Sequence, residues 1–397
     1  MIEYSAYWLC VPLALAVFWL LPRHRRYWFL GVASVVFVAT VEPQTALTLG
    51  VISLLVYWMT GAGKVPIPLR RGAQLSIVIL IACLAFFKYL PAFGRLADGY
   101  RFADIILPLG ISYFTFKLIH YALERSRNAL PEHSFGEYLS FVFLVPIFTA
   151  GPIQRFDWFV NQKAERWENA FAVEGLTRIA HGLIKKFVFG AMIFWALQKI
   201  TGGGVTHLLE HLQGVSTPRV AAFLVLSYLY VYMDFAGYTD IAIGTSRLFG
   251  LRIVENFNFP IFAPNIGDLW KRWHMSLANW CQTYIYMPML GITRNPYLAV
   301  FCSFTVMGLW HSASLNFVCW GLYNASGVAV YQWFKQTARK NKWAFVKTRL
   351  FGGFKYPLTF MFFSGSFAFT MTDGKAGIWG AIRLLAKCFL IDLPDSF

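Results

Sequence analysis

Two histidines carry the chemistry this chain could do. His274 lies in the basic-aromatic cluster Trp270, Lys271, Arg272 and Trp273, and His311 follows Gly308, Leu309 and Trp310 in an apolar run from about Tyr297 to Tyr323. An ionisable side chain inside a membrane span is costly and rarely idle. A neutral imidazole can take a proton from a hydroxyl as that hydroxyl attacks a thioester carbonyl. A second imidazole can position the donor or stabilise the oxyanion. A histidine pair also fits proton-coupled transport, and two hydrogen-bonded core histidines are a third reading. Neither histidine has a carboxylate or cysteine at ligand spacing, so a metal site is not expected. The chain has no Walker loop, GxGxxG, HExxH or GxSxG. Nucleotide hydrolysis, dinucleotide redox, zinc proteolysis and serine hydrolysis therefore fall away.

The elements that must position these residues are membrane helices. Of 397 residues, 57% are hydrophobic and only 14% charged, against about 25% charged in soluble proteins. Apolar runs recur from end to end, which makes the chain polytopic. The 39 Phe, 19 Tyr and 15 Trp suit interfacial belts and a lined cavity. The net charge of +16 sits in short loops, as in cytoplasmic loops of membrane proteins, so no nucleic acid is expected as a partner. The six cysteines are scattered without CxxC or zinc spacing and read as small core residues.

Taken in order, Tyr4 to Leu21 is apolar and is followed by Arg23, His24, Arg25 and Arg26. A cleaved signal peptide carries its charge before the apolar run, so this segment is expected to stay as a first span, N-terminus outside. Spans follow at Tyr27 to Val41, Thr45 to Thr60, Gln74 to Leu90 and Ile105 to Leu123. The basic loop at Lys64, Arg70 and Arg71 is expected inside, and Pro91 to Asp104 outside. Lys117 and His120 are expected to snorkel toward the headgroups. Tyr138 to Ala150 is too short to span and, with TAGPIQRFDWF, reads as a re-entrant or interfacial element. Phe171 to Ile200 is a long helix with Lys185 and Lys186 near its middle, ended by Gly202 to Gly204. The loop from there through Pro218 is expected outside.

Asp234 and Asp240 flank Gly237 at the end of a span, and the glycine suggests a bent or broken helix. Asp240 is expected to cap or pair, and Asp234 is a candidate for the substrate cavity. Pro260 and Pro264 forbid one continuous helix through ENFNFPIFAPNIGDL. A short helix from Leu269, with Asp268 as N-cap, would place Trp270, Trp273, His274 and Leu277 along one side. Lys335 to Arg349 is a basic loop expected inside, and two further spans leave the C-terminus there. About eleven crossings satisfy this all-α topology.

The stretches LPLGISYFTF (Leu107–Phe116), AGPIQRF (Ala150–Phe156), YMDFAGYTDIAIG (Tyr232–Gly244), ENFNFPIFAPNIGDLWKRWHMSLANW (Glu255–Trp280) and MGLWHSAS (Met307–Ser314) run in the order found in the membrane-bound O-acyltransferase (MBOAT) family. Together they cover roughly the central half of the chain. They resemble the family's bacterial branch, which contains the alginate O-acetylase membrane subunit and the D-alanyl transfer protein of teichoic acids. The resemblance implies one MBOAT domain over residues 1–397: peripheral helices to about 104, a catalytic core at about 105–333 and a C-terminal helix pair at about 350–397. It implies a ring of tilted helices around a funnel, thin at its centre. His311 in GLWH matches the family's catalytic histidine, and His274 in RWHMSL the branch's second one. Ser312 stands where the family motif has a glycine.

From the resemblance the chain is expected to move an acyl group, acetyl first, from a cytoplasmic thioester donor to a hydroxyl of an extracytoplasmic polysaccharide. His311 is the general base, assisted by His274. Arg272, Trp273 and Trp310 line or anchor the donor path. Acetyl-coenzyme A is the expected donor, with no tightly bound cofactor and no metal. Expected partners are the lipid bilayer of the inner membrane and a secreted SGNH-type transferase or polysaccharide machinery. D-alanyl transfer from a phosphopantetheine carrier is the alternative within the family. A proton-coupled transporter and a scaffold that only recruits a secreted transferase are the alternatives outside it.

Overall fold

The structure is a computed structural model that describes residues 2–62, 67–92, 105–162 and 166–394. The expected loop positions at Lys64 and 93–104 lie outside the described residues. Helices and turns account for all regular structure among those described. Four helical stretches there, Pro43–Gly61, Leu69–Ala92, Asn169–Glu210 and Thr217–Leu248, are long and apolar enough to cross a bilayer, and Ser5–Leu20 is a shorter apolar helix. Contacts group the chain into two compact units, Met1–Leu183 with Gly237–Glu255, and Ile184–Ala236 with Asn256–Phe397.

In the first unit, helix Phe135–Phe143 opens with a reciprocal cap. Ser134 accepts from the Glu137 N–H, and Glu137 accepts from the Ser134 N–H, which satisfies two of the orphan donors of a helix start. This helix packs on Arg23–Val41, where a Cβ at Gly31 would stand 2.9 Å from the Ser140 backbone nitrogen. Lys117 and His120 do not snorkel: each is 1% exposed. The Lys117 ammonium donates to the carbonyls of Phe141 (3.3 Å) and Val142 (3.5 Å). Those carbonyls belong to the last turn of Phe135–Phe143 and have no partner within their helix. His120 Nε2 accepts from the Phe156 N–H at 3.0 Å, at the start of helix Phe156–Val160. Both side chains cap neighbouring helix ends, which outweighs a reach toward water. The short broken elements from Phe135 to Val160 are largely buried, and these two side chains satisfy backbone groups at two of their ends.

Gly237 does not break its helix either, since Thr217–Leu248 is continuous. Its role is close approach. A Cβ at Gly182 would come within 2.6 Å of the Gly237 carbonyl oxygen, and one at Gly175 within 2.9 Å of the Gly244 oxygen. Small residues let two apolar helices touch backbone to backbone. Arg178, on the same face as this seam, has Nε 2.7 Å from Asp240 and also pairs with Glu255. Asp240 therefore pairs, as expected of it.

In the second unit the long helix runs through a π-wound stretch, Ile184–Gly190, into Ala191–Thr201, and ends on Gly202 in the left-handed conformation. Lys185 and Lys186 sit in the π-wound turn. Helices Pro296–His311 and Leu315–Lys340 form a hairpin. A Cβ at Gly308 would overlap the Phe317 carbonyl, and one at Gly321 the Phe304 carbonyl. Asn316 ties the hairpin to helix Arg349–Thr372 by donating to the Phe369 carbonyl (3.0 Å) and Thr372 Oγ1 (2.9 Å).

Candidate active site

His311 is the last residue of helix Pro296–His311, so the apolar run around it is broken there. Ser312 leaves the helix in extended conformation (φ −151°, ψ 153°). Ser314 then caps Leu315–Lys340 by accepting from the Phe317 N–H at 3.4 Å. Three residues thus turn the chain, and the turn holds His311 among aromatic rings. Its imidazole stacks on Phe317 and meets Trp320 edge-on at 5.2 Å. The Ser312 backbone is one any residue adopts, so nothing in the conformation there demands glycine.

The expected helix through Trp270, Trp273, His274 and Leu277 is not formed. Asn265, not Asp268, caps a four-residue helix, Ile266–Leu269, accepting from the Asp268 N–H at 2.8 Å. His274 follows at φ 43°, ψ 52°, immediately before helix Met275–Cys281. A non-glycine residue in the left-handed region costs about 1–2 kcal/mol. Such strain persists only where the surrounding structure over-determines a position, and it clusters at functional sites. His274 is 3% exposed. Its Nδ1 lies 3.1 Å from Asn256 Oδ1, and the Phe235 ring stands edge-on to it at 4.8 Å.

Trp310 brings the two histidines into one site. Its ring centroid is 6.1 Å from that of His274 and 4.7 Å from that of His311. Trp310 is buried, as is Trp320, the other tryptophan against His311. The site is thus an aromatic cluster with two imidazoles set into it. One is buried and held by an amide; the other is exposed at a helix end.

The other expected site residues are placed as follows. Trp273 packs among Tyr228, Phe257, Phe363 and Phe367, with centroids 5.1–6.2 Å away. It is a core residue directly before His274. Arg272 Nε donates to Asp268 at 2.6 Å, and another guanidinium nitrogen reaches the Asn258 carbonyl at 3.5 Å. Asp234 forms an ion pair with Lys186 of the π-wound turn. Asn256 was not singled out from sequence. The available signal was a pair of amide side chains, Asn256 and Asn258, in the aromatic, proline-punctuated run ENFNFP.

Residues 44–372 match the model of the membrane-bound O-acyltransferase family. A protein named probable alginate O-acetylase AlgI from Pseudomonas aeruginosa is 30% identical over 346 residues, 81% of this chain and 64% of the relative. The teichoic acid D-alanyltransferase of Bacillus subtilis is 30% identical over 258 residues, 60% of this chain and 62% of the relative. The peptidoglycan O-acetyltransferase of Helicobacter pylori is 28% identical over 309 residues, 68% of this chain and 57% of the relative. The chain spans less than two thirds of the length of each of these three.

Proposed function

The chain belongs to the membrane-bound O-acyltransferase family, and on that premise we propose that it transfers an acetyl group from acetyl-coenzyme A in the cytoplasm to a hydroxyl of an extracytoplasmic polysaccharide. The observation that carries this reading is the single aromatic cluster, centred on Trp310, that holds both imidazoles. Acyl transfer between oxygen and sulfur needs a base for the attacking hydroxyl and a dry site around the carbonyl. As the new C–O bond forms, the hydroxyl proton passes to His311. The C–S bond then breaks, and the departing thiolate takes that proton. Every atom is accounted for without a metal.

The pantetheine arm is long and thin. On this reading it enters from the inner face beside Trp310, and Arg272 engages a donor phosphate at the entrance. Trp273, behind His274, supports the cluster. Asp234, with Lys186, lies on the donor or acceptor path. The helices form a funnel of about eleven crossings in the inner membrane, N-terminus outside and C-terminus inside. A secreted SGNH-type transferase or the polysaccharide machinery meets the outer face and delivers the acetyl group to the polymer. Two relatives named as O-acetyl-transferring proteins favour acetyl, whereas the D-alanyltransferase keeps D-alanyl transfer as the second reading.

The test is thioester turnover by the purified protein in proteoliposomes, with labelled acetyl-coenzyme A and a D-alanylated carrier protein in parallel. Consumption of acetyl-coenzyme A that disappears in His311→Ala supports the proposal. Turnover of the carrier alone selects D-alanyl transfer. A proton-dependent flux with no thioester consumed would make the protein a transporter.

A further inference from the structure

Asn256 is fully buried, and its side-chain oxygen faces three groups. The Ser276 backbone nitrogen is 3.2 Å away, Ser276 Oγ 2.8 Å and His274 Nδ1 3.1 Å. The Met275 N–H also donates to the Asn256 main-chain carbonyl at 2.9 Å, so the two segments are clamped in register. A backbone N–H can only donate. The Asn256 atom that meets the Ser276 N–H must therefore be the acceptor, and the amide cannot be turned round without setting two donors against each other. That orientation has a consequence for His274. Its Nδ1 faces an oxygen that only accepts, so Nδ1 carries the proton. In a neutral imidazole the lone pair then resides on Nε2.

We propose that Asn256 is a positioning residue that sets the tautomer of His274, so that Nε2 presents a lone pair that accepts a hydrogen bond in the site rather than donating to the oxyanion, while His311 takes the hydroxyl proton. The proposal rests on the acyltransferase reading of this site for its functional half, while the tautomer itself stands on hydrogen-bond geometry alone. Turning the imidazole about Cβ–Cγ would set a ring C–H against Asn256 Oδ1 and lose a buried hydrogen bond. The Phe235 and Trp310 rings beside it restrict that rotation. The same logic applies to any imidazole whose second nitrogen is fixed by a neighbour: the partner decides which nitrogen is basic. The side chain nitrogen of Asn256 has no hydrogen-bond partner among the described residues. That is an unfavourable burial, tolerated here in exchange for an acceptor of fixed direction.

The experiment uses the full chain in lipid bilayers, labelled with nitrogen-15 histidine. The His274 signals are those lost in His274→Asn. Solid-state magnetic resonance should show His274 protonated at Nδ1 and unprotonated at Nε2. Asn256→Ala should shift it to the other tautomer or to a mixture, and Asn256→Asp, which keeps an acceptor oxygen, should retain it. A wild-type His274 protonated at Nε2, or a tautomer unmoved in Asn256→Ala, overturns the proposal. If Asn256→Ala fails to fold, the wild-type and Asn256→Asp spectra still decide. With acetyl-coenzyme A, Asn256→Ala should lose about 10–100-fold in kcat, the range seen when the partner of a functional histidine is removed. Its KM should change little, and Asn256→Asp should recover most of the loss. An unchanged kcat in Asn256→Ala also overturns it. A correct tautomer in a protein that turns over no thioester would sink the acyltransferase reading and leave the tautomer assignment standing.

Discussion

The imidazole of His311 stacks on the ring of Phe317, centroids 5.4 Å apart and planes 24° from parallel. The two residues stand on opposite sides of a helix break, His311 closing one helix and Phe317 in the first turn of the next. The contact, with those of Trp310 and Trp320, helps fix the ring of a residue at a helix end. His311→Ala should abolish transfer while the protein still inserts and folds, with a loss of about 10²–10⁴ in rate for a missing general base. Phe317→Leu should lower kcat less, because it loosens the imidazole without removing it. Steady-state turnover of acetyl-coenzyme A checks both, and near-normal turnover in His311→Ala would sink the base assignment.

His274 occupies a left-handed turn, a conformation asparagine tolerates better than most residues. His274→Asn should therefore keep the turn and the thermal stability yet lose most transfer activity. His274→Val, with a β-branched side chain in the same backbone, should lower the melting temperature as well. Melting curves in detergent beside turnover rates separate the two effects. Equal stability in both variants would remove strain from the account.

Gly308 and Gly321 let the hairpin helices meet at the Phe317 and Phe304 carbonyls. A methyl group at either position must push backbone aside, and overpacking of this kind costs about 1–3 kcal/mol. Gly321→Ala should lower the melting temperature with a modest effect on kcat. Gly308→Ala, three residues before His311, should lower both. Thermal melts monitored by size-exclusion chromatography, read beside kcat, test this. Unchanged stability in both variants would mean the helices can separate freely.

Arg272 is oriented by Asp268. Arg272→Ala should raise the donor KM more than it lowers kcat, since a phosphate contact lies far from the reacting bond. Asp268→Asn, which leaves the guanidinium but weakens its orientation, should raise KM less. A bulky residue at Ser312 should lower kcat with little change in KM. Kinetics against varied acetyl-coenzyme A decide, and an unchanged KM in Arg272→Ala leaves no phosphate contact to invoke.

Asp234 pairs with Lys186. If the pair is structural, Asp234→Ala should destabilise the protein, and adding Lys186→Met should recover part of the loss, because removing one partner of a part-buried ion pair costs more than removing both. If Asp234 contacts substrate, the double variant should stay inactive at full stability. Melting temperature and turnover of the single and the double variant distinguish the two roles.

Much of this protein was legible in the residues alone. Recurrent apolar runs between short basic loops demand helices in a bilayer, where each backbone group must be satisfied within its own segment. Gly202 ended a helix as its freedom at positive φ allows, and Pro260 and Pro264 kept their stretch from becoming one long helix. The motifs around His274 and His311 pointed to two imidazoles that the fold brings beside one ring, Trp310. These are local signals, carried by one residue type or one window of chain.

Only the tertiary structure decided what those residues touch. Lys117 and His120 looked like snorkelling side chains but cap the ends of helices Phe135–Phe143 and Phe156–Val160. Gly237 looked like a break and is a close-approach point for Gly182. His274 fitted a helical stripe and instead occupies a left-handed turn held by Asn256, 18 residues earlier. In each case a partner distant in sequence selected between two local solutions. A helix end, a seam of small residues or an acceptor oxygen exists only once the chain has folded, so its pull on a side chain is absent from any window of sequence.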